Sequence, residues 1–189
     1  MPENRSDAEL MEAFRAGDAG AMGLLMERHK AALYGYLLRL TSRADAADDI
    51  FQEVFLKLIG NPTAYGERER LRAWLFTVAR NAAMDRFRRE SVRAELPLDG
   101  EEGRPGPAET APSSEPGPAE AFDNKAMGER IEAALASLSE EQREVFYLRH
   151  YSGLSFREIA EMLEVPIGTV LARMSRAAAR LRDKLGDLQ

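Results

Sequence analysis

The sequence contains no cysteine and only two histidines, His29 and His150, far apart along the chain. The first absence excludes disulfides and thiol chemistry, and together the two leave too few ligands for the usual zinc site. No apolar run approaches the roughly 18 residues of a membrane-crossing helix, and the opening MPENRSDAELMEAF is charged where a secretory signal is apolar. Also missing are paired carboxylates in a plausible acid/base setting, a nucleophile constellation and a glycine-rich phosphate loop. The expectation is a cytoplasmic chain with no metal, no cofactor, no membrane insertion and no chemistry of its own.

What is present describes a globular protein of 189 residues, 44% hydrophobic and 31% charged, long enough for two small domains. Its net charge of -6 is unevenly distributed. Residues 96–125 carry seven acids against Arg104 and Lys125, whereas 68–93 hold eight arginines against three acids. Between Val165 and Arg182 there is no acid at all. Two basic patches thus sit in an acidic chain, one in each half. The stretch LPLDGEEGRPGPAETAPSSEPGPAEA, residues 96–121, holds six of the nine prolines and almost no large apolar residue. It has too little apolar surface to offset the entropy of ordering, so residues 96–123 are expected to form a disordered acidic linker.

Apolar residues recur at helical spacing over about 7–16, 19–41, 44–59 and 70–93 before the linker, and 124–137, 140–150, 156–164 and 167–184 after it. Ser6 and Asp18 are positioned as N-caps, Ser139 with Gln142 and Ser155 with Glu158 as capping boxes, and Gly60-Asn61-Pro62 as a stop. No segment sustains the alternation of a strand. The expected fold is all-α, with two helical domains over 1–95 and 124–189.

LSFREIAEMLEVPIGTVLARMSRAAARLR has the grammar of a helix-turn-helix. Phe156, Ile159, Ala160 and Leu163 give a short helix one apolar face, Val165-Pro166 ends it, and a second helix follows. At 100° per residue, Ile167, Val170, Leu171, Met174, Ala178 and Leu181 gather on an expected inward arc. Thr169, Arg173, Arg176 and Arg180 gather on the other side, an arrangement suited to a major groove, where arginine pairs with guanine or phosphate. The alternative is a solvated arginine face, although the usual interspersed glutamates are missing.

Two further stretches carry chemistry. In LRAWLFTVARNAAMDRFRRESVR, residues 71–93, the spacing predicts Leu71, Trp74, Leu75, Val78 and Ala82 inward. Phe76, Thr77, Arg80, Met84 and Phe87 fall on the other side, where aromatics between arginines suit stacking on single-stranded bases. The competing reading packs Phe76 and Phe87 on a neighbouring helix. In ADAADDIFQEVFLKLI, residues 44–59, Asp48, Asp49, Gln52 and Glu53 form an acidic cluster that either stabilises the helix start or meets a basic partner.

These three stretches together resemble an extracytoplasmic-function (ECF) RNA polymerase sigma factor, across both domains in order. The resemblance implies a region-two domain, a region-four domain and a connector that threads toward the polymerase active-site channel. It implies that Asp48, Asp49, Gln52, Glu53 and Phe55 dock on the beta-prime clamp helices of core RNA polymerase, with the beta flap as a further contact. The minus-10 element would be opened and read by loop 61–70 and the following helix, through Tyr65, Arg72, Phe76, Arg80, Asn81, Asp85 and Arg88. The minus-35 element of the promoter DNA would be met by Ser155, Gly168, Thr169, Val170, Arg173, Arg176 and Arg180. An anti-sigma factor is the implied regulator. Where relatives commonly carry lysine and arginine, this chain has Leu171 and Ala178, expected to widen the buried stripe and remove two phosphate contacts. A polymerase-independent helix-turn-helix regulator accounts for residues 155–182 and leaves the other two stretches unused.

Overall fold

A computed structural model describes residues 5–63, 71–95 and 118–186, with side chains for 5–63, 71–92 and 127–186. The chain divides into two compact units, Met1–Ala108 and Glu109–Gln189. Among the described residues there is no strand.

In the first unit, α1 (Asp7–Arg15), α3 (Ala44–Gly60) and α4 (Leu71–Glu95) all pack on the long α2 (Ala19–Thr41). The expected caps form: Ser6 and Glu9 make a reciprocal capping box, and Asp18 accepts from the Ala21 amide. Ser42 ends α2 in the left-handed region at φ 56°, and Asn61 caps α3, its backbone N–H donating to the Lys57 carbonyl. Leu10, Leu25, Leu37, Val54, Leu58 and Leu75 are buried between the helices. Two polar clips fix the edges. His29 is buried in α2 with Nε2 2.7 Å from Asp7 Oδ2, and Arg28 donates to the other Asp7 oxygen at 2.6 Å. Arg15 donates twice to the Pro62 carbonyl, at 2.7 and 3.1 Å, which anchors the start of the loop leading to α4.

The second unit contains α5 (Pro118–Ala136), α6 (Glu140–Tyr147), a π-helical turn (Leu148–Ser152), α7 (Phe156–Leu163) and α8 (Ile167–Leu185). α5 begins at Pro118, inside the stretch expected as linker; proline suits a first helical position because its missing N–H has no partner there anyway. The rest of that stretch, residues 96–117, lies outside the described residues, as does Tyr65 in loop 64–70. Where one continuous helix was expected over 140–150, the chain widens into the π turn. Ser152 bonds back to the Leu148 carbonyl and accepts from the Leu154 amide, and Gly153 closes the turn at φ 65°. Arg149 then donates to the Leu154 carbonyl at 2.7 Å and lies 5.3 Å from the Phe156 ring centre, tying the turn to α7. Glu164 ends α7 in the left-handed region at φ 54°, and α8 starts after Pro166, so three residues join the two helices. Ile159 and Ala160 of α7 are buried, as are Val170 and Ala177 of α8, which fixes the helix-turn-helix crossing.

Candidate nucleic-acid interface

Three surfaces carry the residues singled out in the sequence. On α3, Asp48, Asp49 and Gln52 are exposed and Glu53 is half-exposed, turned outward because Ala46, Ala47, Ile50, Val54 and Leu58 hold the opposite face in the core. Their charges are partly matched within the unit. Asp49 meets Arg86 of α4 at 3.0 Å, Arg86 also reaches Glu90 at 3.1 Å, and Glu53 meets Lys57 at 2.6 Å. Burial and the neighbouring Asp48 charge, to which its hydroxyl donates, push the Tyr34 phenol up. Phe55 corrects the expectation of a contact residue. It is buried, 5.0 Å from the Phe51 ring centre, and so supports the acidic face from beneath. The sequence reading passed over Leu56. At 66% exposure it is the most open large apolar side chain among the described residues, one turn after Gln52 on the same face. Its spacing from Asp49 and Gln52, i+7 and i+4, was the available signal.

On α4 the structure turns the helix relative to the expected stripe. Leu71, Leu75, Phe76, Ala79, Ala82 and Ala83 are buried, whereas Trp74 and Val78 are only half-buried. Phe76 is 0% exposed, with its ring 5.3 Å from that of Tyr36, so it is a core residue and cannot stack on a base. Three alanines among the inward positions let α4 approach closely and draw in the larger Phe76, a choice that residue spacing alone does not disclose. Arg72, at the start of α4, and Asn81, Asp85 and Arg88 farther along are exposed, and Thr77, Arg80, Met84 and Phe87 are half-buried. Arg88 is steadied by Asp85 at 3.1 Å.

On the helix-turn-helix, Ser155 is exposed but its hydroxyl is engaged. It accepts from the Glu158 amide at 3.3 Å and donates to the Glu158 carboxylate at 2.7 Å, so its role visible here is the cap of α7. Val170, expected to read DNA, is 0% exposed and holds α8 to the core. Gly168, Arg176 and Arg180 are exposed, and Thr169 and Arg173 half-exposed. Among the described residues, no carboxylate pairs with Arg173, Arg176 or Arg180. The expected inward stripe also needs correction. Ile167 and Leu171 are each 45% exposed, because the helix is seated on Val170 and Ala177 and those two side chains lie on the flank. Ala178 is half-buried.

Among the described residues, no group of carboxylates and histidines could hold a metal ion, and no helix is long and apolar enough to cross a membrane.

Comparison with known proteins accounts for both units. Residues 25–93 match the family Sigma-70 region 2, and residues 128–181 match Sigma-70, region 4. ECF RNA polymerase sigma factor SigL of Mycobacterium tuberculosis is 36% identical over 174 residues, covering 92% of this chain and 93% of the relative. Among solved structures, the sigma factor RpoE in complex with the anti-sigma factor NepR from Bartonella quintana is similar at TM-score 0.64 and 26% identity, covering 85% of this chain and 94% of that one. CnrH in complex with the cytosolic domain of CnrY is similar at TM-score 0.65 and 25% identity, covering 97% and 99%. With both sigma regions matched in order, and a relative this similar across nearly the whole length, the chain belongs to the extracytoplasmic-function RNA polymerase sigma factors.

Proposed function

We propose that the three surfaces divide the work of promoter-specific initiation. The α3 face of Asp48, Asp49, Gln52 and Glu53, with Leu56 added, docks on the clamp helices of core RNA polymerase. The outward side of α4, with Arg80, Asn81, Asp85 and Arg88, together with Arg72 at the start of the helix and Tyr65 in the preceding loop, captures unstacked bases of the minus-10 element. α8 enters the major groove at the minus-35 element through Gly168, Thr169, Arg173, Arg176 and Arg180. Residues 1–95 then act as the melting and docking domain and 124–189 as the upstream reader, tethered through 96–123. The chain works in the cytoplasm and performs no catalysis; phosphodiester chemistry belongs to the polymerase. Control by an anti-sigma protein follows by similarity to the Bartonella relative, which is seen bound to one.

The observation that carries this reading is that, among the described residues, no carboxylate partners Arg173, Arg176 or Arg180, on a stretch free of acid from Val165 to Arg182. Guanidiniums left without counter-charge fit a polyanionic partner. Run-off transcription tests it. Core polymerase supplemented with the chain initiates at a cognate promoter, and Arg173→Ala with Arg176→Ala reduces initiation at that promoter by at least tenfold. Tight operator binding without any initiation would instead indicate a polymerase-independent regulator.

A further inference from the structure

The recognition helix presents two unlike flanks. With Val170 and Ala177 facing the core, Gly168, Ala172, Ser175 and Ala179 fall along the outward midline at 100° per residue. Thr169, Arg173, Arg176 and Arg180 lie along one side of that midline. On the other side, over the first turns, stand Ile167 and Leu171, each 45% exposed and four residues apart. A solitary exposed leucine needs no explanation. A paired apolar edge on a helix otherwise furnished for a polyanion does.

We propose that Leu171, with Ile167 beside it, reads the C5 methyl of thymine in the minus-35 element. The inference rests on the reading above that α8 lies in the major groove. Small residues on the midline let the helix axis approach the base edges. A thymine methyl projects into that groove close to its own strand's backbone, and so meets the flank of an inserted helix rather than its midline. The arginine flank supplies charge to one wall of the groove. The opposite wall meets an isobutyl and a sec-butyl group, which cannot bind phosphate and gain only by covering apolar surface. Thymine carries the one apolar substituent that unmodified bases display there. Leu171 is therefore a specificity residue that favours thymine at one or two positions.

The test uses holoenzyme assembled from core polymerase and the full chain, on a cognate promoter whose minus-35 thymines are replaced singly by deoxyuridine, which differs only by the missing methyl. With the native chain, initiation drops about threefold to fivefold at one or two positions, the scale of one buried methyl. Leu171→Ala lowers initiation on the thymine promoter to the deoxyuridine level and abolishes the difference; Ile167→Ala does so at the adjoining base pair. Leu171→Lys exchanges the discrimination for a salt dependence steeper by about one phosphate contact. The proposal is overturned if no deoxyuridine matters, if the effect persists in Leu171→Ala, or if the cognate element contains only G·C pairs. Failure of the native holoenzyme to initiate at any promoter overturns the groove-reading role of α8, and this inference with it.

Discussion

Gly168 stands in the first turn of α8, and a Cβ built there meets nothing within 4 Å. Neither packing nor a positive φ requires glycine at this position, which is exposed on the midline of the helix. Gly168→Ala should stabilise the second unit by up to about 0.5–1 kcal/mol, since glycine is a poor helix former. The same methyl would stand between the helix and the base edges, so initiation from a cognate promoter should fall several-fold. A melting temperature that rises while run-off transcription falls is the expected pair of results; unaltered transcription would place the DNA elsewhere on α8. Leu56 allows a comparable separation at the other surface. Being 66% exposed, it contributes little to the fold, so Leu56→Asp should leave thermal melting unchanged and weaken assembly with core polymerase about tenfold, the scale of one interface anchor. Competition against the native chain for limiting core polymerase measures it.

Between elements, the clip joining α1 to α2 is sensitive to pH. Burial alone raises the Asp7 carboxyl, yet hydrogen bonds from His29 and Arg28, together with their charges, outweigh it and hold the group below its ordinary 3.8. A carboxyl depressed in the folded state stabilises fully above the unfolded value. Its contribution fades as pH falls through 3.8 toward the lower folded value. Asp7→Asn should therefore cost about 2 kcal/mol near pH 7, and the difference between the melting curves of the two proteins should shrink progressively as pH falls below 3.8. The clip was only half legible in the sequence. Ser6 as a cap and the start of α1 follow from local chemistry, whereas a pairing of Asp7 with His29 spans 22 residues and depends on how the helices cross. The same division runs through the surfaces. The caps, the Gly60-Asn61-Pro62 stop, the all-α composition and the α3 acidic face follow from short-range spacing. Phe76, Ile167 and Leu171 do not, because an apolar arc wider than the contact it feeds leaves open which edge is covered, and the neighbouring helix decides. The π turn at Leu148–Ser152 likewise arises from Ser152 bonding back into its own helix, which no hydrophobic period encodes.

At the scale of the whole molecule, the basic surface of α8 is small against an acidic background. The net charge is -6, seven acids fall within 96–125, and the arginines of α8 without a carboxylate partner among the described residues are few. Three phosphate contacts, if Arg173, Arg176 and Arg180 each make one, would give a slope of log affinity against log salt near -3. Such binding falls about 40-fold between 50 and 200 mM salt, while the net negative charge of the chain weakens it further. The free chain should therefore bind random duplex DNA no more tightly than the weak end of nonspecific affinities, around 100 μM, at physiological salt. Core polymerase should remove that handicap by contributing its own contacts and tethering both DNA-binding surfaces to one promoter, so that each would bind at the high effective concentration set by the other. Fluorescence anisotropy on a labelled duplex, with and without core polymerase, measures both regimes. Weak, salt-steep binding by the isolated chain and tight, sequence-dependent binding by the holoenzyme is the expected contrast. Submicromolar binding of random duplex by the isolated chain at 200 mM salt would show that α8 does not need the polymerase to reach DNA.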